Sequence, residues 1–142
     1  ELKQLTSKLN LDHFVTFTGR IPDEQVFSIL SSIDIGAAPD PPSYMNNVST
    51  MNKIMDYMWF GKPIVSFDLL ESRNSAANAA VFVKKAIPEE FGKTIIDLID
   101  NPQKREMMGE YGKKRVRSLT WQNSEIELIK AYKYLFTNFS KY

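Results

Sequence analysis

Short runs of β-branched and aromatic residues alternating with longer stretches of helical periodicity predict an α/β domain, a parallel sheet with helices on both faces. Three observations carry this. Strand-like runs lie at residues 14–18, 35–38, 64–67 and 80–83, each about the length of an ordinary strand, with helical patterns between them. Parallel strands need a crossover, and the intervening stretches are long enough to supply helical ones. At 142 residues and 43% hydrophobic, the chain has the size and apolar content of one domain over residues 1–142.

The elements follow in order. Leu2, Leu5 and Leu9 recur at helical spacing before Phe14-Val15-Thr16-Phe17-Thr18, a strand pattern closed by Gly19. Pro22-Asp23-Glu24 has the proline and acidic first turn of a helix start, with Val26, Ile29, Leu30 and Ile33 as its stripe. A second strand ends at Pro39. Residues 40–47 are turn-forming throughout and predict the longest loop of the domain. Ser49 or Thr50 is placed to cap the next helix, which carries Ile54, Met55, Tyr57 and Met58 and stops at Gly61 before Pro63. A buried strand at 64–67, a polar segment at 68–78 and a strand at 80–83 follow. The remainder reads as helix, broken at Asn101-Pro102 and restarted near Thr120.

Composition excludes several functions. Lys and Arg total 18 against 17 Asp and Glu, a formal charge of +1 that creates no field selecting nucleic acid. Cysteine is absent, which removes disulfides, thiolate zinc sites and a cysteine nucleophile, and fits a reducing cytosol. No metal-ligating constellation is visible, and no apolar run approaches the ~20 residues of a membrane span. The start at Glu1 without Met, directly in helical sequence, reads as the beginning of a fragment.

In an open parallel sheet, ligands collect at the carboxyl ends of the strands. That expectation puts Gly19 and Arg20, residues 39–47 and residues 68–73 on one rim. The most informative window is Ser49-Thr50-Met51-Asn52-Lys53, a helix start after a loop on that rim. Free N–H groups and the helix dipole suit a phosphate there, whereas Lys53 in the first turn is unfavourable unless an anion is present. Asp56, one turn on, is suited to accept hydrogen bonds from two vicinal ribose hydroxyls. The plain alternative makes Ser49 a cap, Lys53 solvated and Asp56 its i, i+3 partner.

Taken together these segments resemble the carboxy-terminal domain of family 4, or group 1, glycosyltransferases with the two-Rossmann-domain GT-B fold. Val15-Thr16-Phe17-Thr18-Gly19-Arg20 is similar to the family's V-x-F-x-G turn, and Ile33-Asp34-Ile35-Gly36-Ala37-Ala38-Pro39 to its A-D-x-x-x-x-P. Asp56-Tyr57-Met58-Trp59-Phe60-Gly61-Lys62-Pro63-Ile64-Val65 is similar to its E-A-M-A-x-G-x-P-V-V. The resemblance implies a Rossmann-like domain lacking its first strand or strands. It also implies a nucleotide-diphospho-sugar bound as substrate, with no cofactor and no metal, for retaining transfer in polysaccharide or glycan assembly. Of the family's two glutamates with seven residues between them, the ribose-binding second falls on Asp56 and the first on Val48, which cannot replace it.

Asn47, Ser49, Thr50, Asn52 and Lys53 instead resemble a subgroup pattern N-x-x-S-T-x-N-K, which assigns donor diphosphate or sugar contacts to Ser49, Thr50, Met51, Asn52 and Lys53. Phe67-Asp68-Leu69-Leu70-Glu71-Ser72-Arg73 resembles its F-D-L-x-E-x-R, making Glu71 and Arg73 candidates for touching the donor or orienting Lys53; a surface ion pair is the plain alternative. Gly19 and Arg20 are candidates for the base or a phosphate, or a solvated turn. No catalytic residue is assigned, and an acceptor-binding domain is expected upstream of Glu1, so that the chain alone is too short to catalyse transfer. Lys113-Lys114-Arg115 and Arg117 read either as a contact for anionic lipid headgroups at the inner face of a membrane or as a solvated helix face. Two rival functions stay open at this point: a binding module whose site has decayed at Val48 and Asp56, and half of a nucleotide-sugar epimerase.

Overall fold

The computed structural model describes residues 1–139. It separates into two compact units, Glu1–Ser31 and Ser32–Tyr142.

In the first unit, α1 (Leu2–Lys8) is followed by its C-cap Leu9 and by Asn10, which takes the left-handed conformation that asparagine tolerates. Ser7 Oγ donates to Asp12 Oδ1 at 2.6 Å, and Phe14 N donates to Leu11 O at 2.9 Å, closing the turn that contains the exposed His13. Residues 14–18 do not form the strand their composition predicts. A β-branched run becomes a strand only when a neighbour pairs with its backbone, and among the described residues none does; Phe14 is 82% exposed. The helix predicted at Pro22 is α2 (Asp23–Ser32), with Asp23 and Glu24 in its first turn.

The second unit holds a three-stranded parallel sheet in the order β1 (Gly36–Ala38), β2 (Ile64–Phe67), β3 (Ala80–Val83), with Ala37 opposite Val65 and Val65 opposite Val81. Side-chain alternation divides the core in two. Ile64 and Ala38 face α4 (Asn52–Trp59), packing with its Ile54 and Met58, and with Ala76, Ala79 and Val116. Val65 and Phe67 face α6 (Pro88–Ile99), packing with its Phe91 and Leu98, and with Val83 and Met108; the Phe67 and Phe91 rings meet edge to face at 5.0 Å. Ile54, Met58, Ile64, Val65 and Leu98 have almost no exposed surface, and each contributes about 1.5–3 kcal/mol of burial free energy. The predicted α/β architecture with helices on both faces is therefore present.

Two segments read as loop contain helices. Within 40–47, Ser43 Oγ accepts from Asn46 N at 3.0 Å and starts α3 (Tyr44–Val48). Within 68–78 lies α5 (Leu70–Ala76), whose last carbonyls are met by Arg115 of α7 (Pro102–Val116): Nη2 donates to Asn74 O at 2.8 Å and Nε to Ser75 O at 3.3 Å. Neither Ser49 nor Thr50 caps α4. Its N-cap is Met51, without a side-chain bond; Ser49 Oγ donates to Met45 O at 2.6 Å and Thr50 Oγ1 to Glu71 Oε2 at 3.3 Å. Asn101 caps α7 through Lys104 N, and Arg105 of the same helix donates to the Leu98 and Ile99 carbonyls that end α6. The last helix, α8 (Trp121–Phe139), opens directly after Thr120, and its side chains through residue 138 are exposed.

Ala77 closes α5 at φ 44° and ψ −121°, a region that suits glycine. Replacing it with glycine removes the Cβ clash at the cost of a more flexible unfolded chain. Ala77→Gly is expected to stabilise the protein by about 1 kcal/mol, read as a rise in the midpoint of thermal or urea unfolding; an unchanged or lower midpoint would show that Ala77 is unstrained.

Candidate functional site

The candidate residues of the second unit converge where β1 and β2 end. β1 runs out at Ala38, and Pro39, Asp40, Pro41 and Pro42 carry the chain from its tip to α3. This connection is held rigid by proline dihedrals and by Asn46 Nδ2, which donates to Pro41 O at 2.8 Å. Asn47 joins α3 to α5: its Oδ1 accepts from Leu70 N at 3.1 Å, supplying a cap to a helix whose N-cap residue, Leu69, has none to offer. The Thr50–Glu71 bond makes a second tie, and Glu71 Oε1 in turn accepts from Asn74 Nδ2 at 2.9 Å.

Lys53 lies in the first turn of α4. Its ammonium donates to both oxygens of Asp40, at 2.7 and 2.9 Å. The anion that a cation in this position requires is thus supplied from within the chain, by a residue that sequence reasoning passed over as loop. Its signal was an acidic residue directly after a strand and before two prolines. The Lys53 side chain is 41% and that of Asp40 19% exposed, so the pair stands at the surface and is worth about 1 kcal/mol or less.

Asp56 is exposed and forms no ion pair among the described residues; the i, i+3 bond to Lys53 is not made. Tyr57 lies across Gly36 and donates from its phenol to Ala37 O at 3.2 Å. Burial raises the Tyr57 pKa, with Lys53 and the Ala37 bond opposing the rise. Tyr57 is packed against the core, whereas Trp59 on the same helix is 63% exposed.

Arg73 is engaged by Asp68. Its Nη2 donates to Asp68 Oδ2 at 2.6 Å and its Nε to Oδ1, while its guanidinium lies 4.9 Å from the Phe82 ring centroid. The hydrogen bond from Arg73 holds the Asp68 carboxyl below its usual pKa. Glu71 and Arg73 sit at the rim as expected, but neither orients Lys53. Gly19 and Arg20 belong to the first unit, where residues 18–21 and Val26, Ile29 and Leu30 of α2 line an open, mainly apolar cavity of about 390 Å³.

The four-cation cluster on α7 and after it is divided. Arg115 serves the α5 carbonyls, Lys113 pairs with Glu110 at 2.9 Å beside Gly61, and Lys114 and Arg117 are exposed. Among the described residues there is no group of three or more His, Asp or Glu side chains able to hold a metal, and no helix long and apolar enough to cross a membrane.

A sequence profile described as "Glycosyl transferases group 1" matches residues 1–101. The chain belongs to the group 1 glycosyltransferases. It is 22% identical over 138 residues to the D-inositol 3-phosphate glycosyltransferase of Corynebacterium urealyticum, covering 96% of this chain and 31% of that protein. Its fold matches sucrose-phosphate synthase from Thermosynechococcus elongatus with a TM-score of 0.75 at 19% identity, covering 96% of this chain and 34% of the synthase. The fold is that of a GT-B glycosyltransferase domain, and this group 1 chain spans about a third of the length of either relative.

Proposed function

We propose that this group 1 domain binds a nucleotide-diphospho-sugar donor at the rim formed by the β1 tip, the start of α4 and α5. The observation that carries the reading is the uncapped start of α4, where the N–H groups of its first turn have no side-chain acceptor, with Lys53 in that turn and the exposed Asp56 one turn on. N–H groups and a cation suit the diphosphate, and a carboxylate suits the ribose hydroxyls. In retaining transfer without a metal, the charge that develops on the leaving diphosphate would be stabilised by these fixed donors, which need no reorganisation as the glycosidic bond breaks. Ser49 and Thr50 act indirectly, by holding the segment between α3 and α4 to α3 and α5. The acceptor and the rest of the transfer machinery are assigned to parts of the protein outside this chain, so that the chain alone is inactive.

The test is calorimetric titration of the full-length protein with UDP, GDP and ADP, alongside Lys53→Ala and Asp56→Ala. One nucleotide is expected to bind saturably, with each substitution weakening it about tenfold, the loss of one charge-assisted hydrogen-bonding group. Binding that neither substitution alters would move the donor elsewhere, and absence of binding by all three would favour a module retained for assembly.

A further inference from the structure

An ammonium has three N–H groups. In Lys53 two of them are committed to Asp40, leaving one to offer a ligand, while the two Asp40 oxygens keep lone pairs free to accept. What the pair presents is therefore one donor beside acceptors, with its net charge cancelled. A phosphate at neutral pH offers acceptors alone, and a carboxylate this close to the ammonium repels it. A sugar hydroxyl both donates and accepts, and two neighbouring hydroxyls satisfy an ammonium and a carboxylate together.

We infer that Asp40 is a specificity-determining residue: it leaves Lys53 one N–H for the diphosphate, while its own carboxylate accepts from the hydroxyls of the donated glycosyl group and penalises a bare diphosphate. This rests on the donor-site reading above and deepens it: the helix start and Lys53 take the diphosphate, and the Asp40 carboxylate beside them reads the sugar attached to it. The carboxylate is suited to such a role because its loop is built. Prolines flank it on both sides, Asn46 bonds Pro41 O, and the Ser43 cap anchors the far end. The side chain is mostly covered yet retains an exposed edge beside the more open Lys53. A carboxylate so fixed discriminates between ligands, because a ligand that cannot complement it leaves it desolvated and unmatched.

The experiment measures, in the full-length protein, dissociation constants for three pairs: UDP and UDP-glucose, GDP and GDP-mannose, ADP and ADP-glucose. Each is measured in wild type, Asp40→Asn and Asp40→Glu. For the nucleotide that binds, Asp40→Asn is expected to tighten the bare diphosphate and weaken the sugar conjugate, lowering the preference for the conjugate about tenfold. Asp40→Glu, which keeps the charge, should retain the preference in the wild-type direction. Equal changes in both ligands would give Asp40 a purely structural role and overturn the inference, as would a weakened bare diphosphate in Asp40→Asn. Should Asp40→Asn fail to fold, loss of the preference in a folded Asp40→Glu overturns it as well. Where wild type binds a nucleotide that Lys53→Ala does not weaken, or binds none, the donor-site reading falls first and this inference with it.

Discussion

Gly109→Ala is expected to cost about 3 kcal/mol of stability. A Cβ at this position would lie far inside van der Waals contact with the carbonyl oxygen of Gly61. That oxygen is backbone, in a residue held at φ 65° to end α4, so it cannot turn aside as a side chain would. One turn along α7, a Cβ on Gly112 would come within 3.2 Å of Met58 and 3.3 Å of Ala79, so the helix has no slack to slide along α4. Relief requires α7 to move off the sheet, uncovering Met58, Ile54 and Val116. Gly92→Ala is the control: it adds the same methyl group within α6, where nothing lies within 4 Å, and should stabilise by about 0.5–1 kcal/mol through helix propensity. Urea unfolding of the three proteins decides it. A Gly109→Ala midpoint equal to wild type would mean that the α4–α7 crossing is looser than described.

This crossing also shows what the sequence could and could not reveal. Residues 64–67 and 80–83 were legible as strands because their hydrophobicity and β-branching are local properties and the sheet they form is packed on both faces. The end of α4 was legible from Gly61 and Pro63 for the same reason. The run at 14–18 carries equal β propensity but lacks a paired neighbour among the described residues, and propensity alone does not make a strand. Residues 44–48 and 70–76 were misread because a helix of five to seven residues is fixed by its caps and tertiary ties, here Ser43, Asn47 and Arg115, rather than by a repeating stripe. Within the candidate site, Lys53 and Asp56 stood out by their placement in a helix. Asp40 did not, since its meaning depends on a partner thirteen residues away that only folding brings to 2.7 Å. The basic run at 113–117 was misleading in the opposite sense: neighbours in sequence, its members are used separately, one for a helix end and another beside a turn.

Gly36→Val should reach the candidate site without altering any residue assigned to it. Any Cβ at position 36 would overlap the ring of Tyr57, which lies directly on the glycine and donates to Ala37 O. Valine must therefore expel the ring, and Tyr57 stands one turn after Lys53 and next to Asp56 on α4. The expected cost is about 2–3 kcal/mol of stability, together with weaker nucleotide binding as α4 tilts away from β1. Tyr57→Ala alone should cost a comparable amount, from the lost ring contacts and the lost bond to Ala37. In the double variant Gly36→Val/Tyr57→Ala, the valine side chain enters the space that the ring vacates. The two effects should then fall short of their sum by 1 kcal/mol or more, with part of the nucleotide affinity restored. Strict additivity would mean that the ring and the glycine do not meet in solution, and the position of α4 over the β1 tip would have to be maintained by the Lys53–Asp40 pair and the core residues Ile54 and Met58 alone.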